Sequence, residues 1–193
     1  MVSEPLKPTN TTALVVIPPE EIWSVIQAIR QRYDKTFKRW MPHLTLICPF
    51  VPREMFDQAA KVIRRVCRSL EPFDVQLTDV TYFSHGKGFY TLWTKPEFNE
   101  PLYRLHDELS HRLLLDVGLD AWEERFRPHL CVGQVRGTAK TVAAVQQISK
   151  VWNPVRFTVS NVAMIWRNNR PDDVFRVDRD VGLGRWARPA GAP

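Results

Sequence analysis

Two short stretches hold the residues of greatest chemical interest. Pro42-His43-Leu44-Thr45-Leu46 and Pro128-His129-Leu130-Cys131-Val132 share one pattern: a proline, a histidine, then apolar residues alternating with a small side chain. One lies in each half of the chain. In an extended strand, positions i and i+2 share a face. His43 therefore goes with Thr45, and His129 with Cys131, while Leu44, Leu46, Leu130 and Val132 turn toward the core. A single His-x-Thr triplet means little, but two matched strands in one chain suggest shared work. Imidazole titrates near neutral pH. One neutral ring can take a proton from a nucleophile while an imidazolium gives one to a leaving oxygen. Hydroxyl donors beside them can hold phosphoryl oxygens as charge develops. This is phosphodiester chemistry, and it needs no metal. The acidic residues form no clustered ligand set, so no metal or other cofactor is expected. The remaining histidines read as surface or rim residues. His85 lies in a glycine-flanked turn, and His106 and His111 are off the same helical face.

Composition bounds the class of protein. The chain has 193 residues, 44% of them hydrophobic and 25% charged, as expected of one globular domain. Its 27 Lys and Arg against 21 Asp and Glu give a formal charge of +6, which favours anionic partners such as nucleotides or nucleic acid. The basic residues are scattered, with clusters at Lys35, Lys38 and Arg39, at Arg64, Arg65 and Arg68, and at Arg125 and Arg127. No apolar run approaches the roughly 20 residues of a membrane helix, and the N-terminus lacks a secretory h-region. An intracellular, cytoplasmic, monomeric protein without membrane partners is expected. The three cysteines include no CxxC pair, which argues against a disulfide framework or a zinc site.

The elements that must position the histidines follow from periodicity. Strands are expected over Thr12 to Ile17, Met41 to Phe50, Phe73 to Val80, Phe89 to Thr94, Pro128 to Val135, Val155 to Trp166 and Val174 to Val177. Pro18 and Pro52 open two helices, with apolar stripes at Ile22, Val25, Ile26 and Ile29, and at Phe56, Ala59, Ala60, Ile63 and Val66. Further helices run from Leu102 to Val117, capped by Gly118, and from Thr138 to Val151. Hairpins among the alternating strands and helices exclude a doubly wound sheet and give an α+β fold. A single domain spans 1–193, with its core over 12–184 and a loose tail from 185.

With these residues in view, the chain resembles the 2H phosphoesterase superfamily, which includes LigT-like proteins, 2'-5' RNA ligases and 2',3'-cyclic nucleotide phosphodiesterases. Besides the two histidine motifs, Pro72-Phe73-Asp74-Val75-Gln76-Leu77, Arg125-Phe126-Arg127-Pro128, Phe157 to Val162, Ile165-Trp166-Arg167 and Val181 to Gly184 resemble its flanking strands. The resemblance implies a two-lobed, pseudo-twofold fold of antiparallel sheets and flanking helices around a central groove, each lobe supplying one histidine. It implies hydrolysis of 2',3'-cyclic phosphates on nucleotides or RNA ends, with a 2'-phosphate as product. His43 and His129 carry over as acid and base, and Thr45 as a phosphate-binding hydroxyl. Cys131 stands where the family has Thr or Ser, and a thiol is the weaker donor. Gln134 stands where many relatives carry arginine, with Arg136 a nearby substitute. Trp40, Phe50, Tyr82 and Phe126 are candidate stacking surfaces for a base. Two alternatives stay open: an RNA- or nucleotide-binding module with weak or lost turnover, and 2'-5' RNA ligation in the same groove.

Overall fold

The computed structural model describes residues 6–119 and 126–184. Arg125 and the tail from 185, both named above, lie outside these residues. Among the described residues the order is β1 (Thr12–Val16), α1 (Trp23–Tyr33), β2 (Leu44–Ile47), α2 (Phe56–Cys67), β3 (Phe73–Ser84), β4 (Phe89–Pro96), α3 (Glu100–Val117), β5 (Leu130–Arg136), α4 (Thr138–Ser149), β6 (Val155–Val159), β7 (Asn161–Trp166) and β8 (Arg176–Gly182). The strands form one eight-stranded sheet in the order β6-β3-β4-β5-β2-β1-β7-β8. Every neighbouring pair is antiparallel. Four strands lie on each side of the seam between β5 and β2, so the two histidine motifs meet at the centre of the sheet. The two halves of the architecture are thus halves of one sheet.

Strand alternation separates two apolar layers. On β1, Leu14 and Val16 enter the main core, while Ala13 and Val15 enter a small second cluster with Ala163, Ile165 and Phe175. Leu44, Leu46, Leu130 and Val132 join the main core together with the buried stripes of all four helices. Leu102, Leu105, Leu109, Leu113 and Val117 form the predicted stripe of α3. Asn99 caps its start, accepting from the Leu102 N–H at 3.0 Å, and Gly118 at φ 73° ends it in the left-handed region. The helices thus cover one face of the central strands and leave His43, Thr45, His129 and Cys131 to the other.

Several boundaries differ from the sequence reading. The run Val155 to Trp166 is two strands broken at Ser160: β6 pairs with β3 at one edge, and β7 pairs with β1 near the other. No glycine or proline marks the break, and the only local signal is the polar pair Ser160-Asn161 between two apolar runs. The last strand is Arg176–Gly182 rather than Val174 to Val177. Phe175 is taken up by the second cluster, and the polar strand after it suits a sheet edge. The first motif's strand shortens to Leu44–Ile47. Val25, assigned to the helical stripe, is 43% exposed.

Candidate active site

The seam register places the motif residues. Leu44 pairs with Leu130 across antiparallel β2 and β5. Extending this register one residue each way sets His43 opposite Cys131, and Thr45 opposite His129. All four lie on the face away from the helices. Directly opposed Cβ atoms lie ~5 Å apart and diagonal ones ~7–8 Å, so the two histidines form one diagonal of a small square. Thr45 and Cys131 form the other.

The two rings are held alike. His43 Nδ1 lies 2.7 Å from the Met41 carbonyl oxygen, and His129 Nδ1 lies 2.8 Å from the Arg127 carbonyl oxygen. Each bond spans the buried proline of its motif, Pro42 or Pro128, whose ring fixes φ. A carbonyl only accepts, so Nδ1 carries the proton in both rings and donates it. Among the described residues neither Nε2 makes a hydrogen bond. Burial pushes the His43 pKa down to about 4, against the opposing pull of the Met41 carbonyl, with the charges of Arg30 and His129 lowering it further. Burial also lowers the His129 pKa, opposed by the Arg127 carbonyl. Burial thus favours the neutral form of both rings in the free protein.

A groove of about 720 Å³ opens on this face. Thr45 of the first motif and Cys48 just after β2 line it with His129, and its walls come from Phe83, Ser84, His85 and Thr91 of the β3–β4 hairpin, His106 and Ser110 of α3, and Phe126 and Arg127. His43 flanks this volume rather than lining it, under the ring of Trp40 at 4.7 Å and 19°. His129 meets the rings of Phe83 and Trp93 nearly edge-on, at 5.1 and 5.9 Å. The Trp93 indole Nε1 is buried without a hydrogen-bond partner among the described residues.

The other candidates sort by position. Phe126 reaches the groove and stacks on His106 at 3.9 Å and 4°. Trp40 is near His43, but its ring is engaged with both His43 and Phe175, the latter at 3.7 Å, so it shapes the site by packing. Phe50 is not a stacking surface: it is fully buried against Phe56. Tyr82 does not line the groove and packs edge-on against Tyr90. Gln134 accepts from the Lys35 N–H at 3.0 Å and donates to Cys131 Sγ at 3.4 Å, so it ties the second motif to the segment after α1. Arg136 lies over the Phe89 ring at 3.9 Å, at the far end of its strand. The Cys131 thiol is pushed up to about 11, first by burial and then by the charge of Asp34, so it stays protonated and is a weak donor.

Sequence reasoning missed four residues. His85 and His106, read as surface or rim, both line the groove. His85 Nε2 is 2.9 Å from Thr91 Oγ1, and His106 is held between Asp107 and Ser110. No spacing rule links them to the motifs, because the hairpin and α3 bring them there from elsewhere in the chain. The other two are Arg30 and Asp34, a buried ion pair on α1 and at its C-terminal end. Their i,i+4 spacing was readable, but that spacing usually marks a solvent-exposed helical pair. Among the described residues no group of three or more His, Cys, Asp or Glu could hold a metal ion, and no helix is long and apolar enough to cross a membrane.

With this geometry established, comparison with known proteins defines the class. Residues 18–171 match the profile of the 2'-5' RNA ligase superfamily, and the chain belongs to that family. A Geobacillus kaustophilus protein assigned to the phosphoesterases is 30% identical over 122 residues, covering 63% of this chain and 67% of its own length. A second, from a Geobacillus species, is 34% identical over 126 residues, with the same coverage of both chains. Among solved structures, TT0787 of Thermus thermophilus superposes with a TM-score of 0.63 at 22% identity, over 90% of this chain and 97% of its own. Escherichia coli LigT in its apo form gives 0.66 at 16% identity, over 92% and 99%. LigT has also been crystallised with phosphate and with 3'-AMP. At these identities the structural likeness is one of fold. The expected α+β class and the phosphoesterase kinship both stand.

Proposed function

We propose that the protein is a metal-independent phosphoesterase that hydrolyses 2',3'-cyclic phosphates of nucleotides or RNA ends, using His43 and His129 as acid and base. One observation carries the reading. Each motif histidine commits its Nδ1–H to the carbonyl two residues back, which leaves two Nε2 atoms on one face for proton transfer. In the reaction, one neutral Nε2 takes a proton from water as its oxygen bonds to phosphorus. The bond from phosphorus to the ribose 3' oxygen breaks, and the other ring, as imidazolium, gives that oxygen its proton. A 2'-phosphate results. Thr45 donates to a phosphoryl oxygen as negative charge builds, and Cys131 donates more weakly from the opposite corner. Phe126 in the groove wall offers a ring for the base. Burial that favours the neutral form of both rings is opposed once an anionic phosphate lies between them, since a nearby negative charge favours the imidazolium. The nucleotide and phosphate that LigT crystals hold agree with this substrate class.

The test is incubation with 2',3'-cyclic mononucleotides and with a cyclic-phosphate-ended oligonucleotide, in excess EDTA, with the phosphate isomer identified. Turnover to the 2'-phosphate is expected in both. Loss of activity in EDTA, restored by zinc or magnesium, overturns the mechanism.

A further inference from the structure

On α1 and at its C-terminal end lies a charged pair that the mechanism does not use. Arg30 and Asp34 are four residues apart, and their side chains are 2% and 1% exposed. Arg30 Nε donates to Asp34 Oδ2 at 2.9 Å, and Nη2 stands 2.8 Å from the same oxygen. The guanidinium also donates to Gln27 Oε1 at 3.0 Å and to the Trp40 carbonyl at 2.9 Å. Asp34 Oδ1 accepts from both the N–H and the hydroxyl of Thr36.

Several of these bonds lead toward the site. Trp40, whose carbonyl Arg30 holds, stacks on His43. The next carbonyl, that of Met41, accepts the His43 Nδ1–H. On the other side, the Lys35 N–H beside Asp34 binds Gln134, which binds Cys131. One ion pair is thus connected to both motifs through short chains of contacts. Replacing a buried ion pair with apolar residues of similar volume is often neutral or stabilising. Its presence here therefore calls for a role other than stability.

We propose that the Arg30–Asp34 pair is the positioning device of the site, fixing the 34–41 loop and holding two opposite charges against the His43 ring, so that His43 and Cys131 keep their places on the two facing strands. The proposal rests on the reading of His43 as an acid–base group and adds the residues that orient it. The pair acts in two ways. Its hydrogen bonds fix the loop, and its charges act on His43 with opposite signs: Arg30 disfavours the imidazolium and Asp34 favours it. The other titratable groups facing His43 are His129, which also disfavours its charged form, and the protonated thiol of Cys131.

The opposed signs separate this role from plain structural support. The experiment follows the His43 ring protons by NMR against pH in the full-length wild type, Arg30→Gln and Asp34→Asn. Arg30→Gln is expected to raise the His43 titration midpoint, and Asp34→Asn to lower it. If the pair served only as a structural clamp, either change would loosen the loop, hydrate His43 and raise the midpoint in both variants. Shifts of the same sign, or no shift, overturn the proposal. Asp34→Asn preserves the side chain's shape and carries the test alone if Arg30→Gln fails to fold. The readout is a titration, so it stands whether or not the protein turns over cyclic phosphates. Activity of wild type on those substrates tests the underlying reading separately.

Discussion

The two halves of the site are alike within each strand and unlike beyond it. His43 and His129 each follow a buried proline, and each donates Nδ1–H two residues back, at 2.7 and 2.8 Å. Around His43 the chain has built a closed setting: Trp40 over the ring, Phe175 beyond it, and the paired Arg30 holding the Trp40 carbonyl. Around His129 it has left an open one, with Phe83 and Trp93 edge-on and the groove in front. The small residue on each strand differs as well, a hydroxyl at Thr45 and a thiol at Cys131. Local sequence thus determines the tautomer, while neighbours from elsewhere in the chain set how readily each ring takes up a proton.

The largest test of that comparison removes the rings. His43→Ala and His129→Ala should each slow single-turnover cleavage of a 2',3'-cyclic nucleotide by roughly 10²- to 10⁴-fold, with native circular dichroism. The double variant should lose less than the product of the two, because residues acting as a unit are not additive. Near-normal rates in both folded single variants would remove the histidines from the chemistry altogether.

A smaller effect separates the two settings. A histidine whose folded pKa is depressed binds fewer protons in the native state than in the unfolded chain. The stability it permits is present above the unfolded value near 6.5 and is lost as pH falls toward the folded value. For His43 that window runs from 6.5 down to about 4. Denaturant titrations at a series of pH values should show stability falling across this window. His43→Ala should flatten the fall more than His129→Ala, and the reverse order would mean that the closed setting is not what depresses His43.

The smallest effect concerns the remaining corners of the square. A neutral hydrogen bond is worth about 1 kcal/mol, so Cys131→Thr should maintain turnover or raise it by at most about tenfold. Thr45→Cys should lower it by a similar factor. If Cys131 acts instead as a buried apolar group, the added hydroxyl will lower the melting temperature and leave kcat unimproved, so melting curves recorded beside the kinetics decide the matter.

The sequence by itself determined a good deal. It determined the pairing of His43 with Thr45 and of His129 with Cys131, because strand alternation is a local property. The inward turn of Leu44, Leu46, Leu130 and Val132 followed from the same rule, and the α3 stripe from Leu102 to Val117 followed from helical periodicity. Both Nδ1 bonds are also local, each reaching only two residues back. Tertiary structure alone decided which strand lies beside which. It put β2 next to β5 across a seam with one register pair, Leu44 with Leu130, and so placed two distant histidines on one diagonal. It split Val155 to Trp166 between opposite sides of the sheet, buried Phe50, engaged both Trp40 and Gln134 in internal contacts, and carried His85 and His106 into the groove wall. The physical reason is one of range. Periodicity and capping act over a few residues and leave their mark in the order of side chains. Strand order, the depth of a charged pair such as Arg30 and Asp34, and the desolvation that shifts a histidine are set by contacts between residues far apart in the chain.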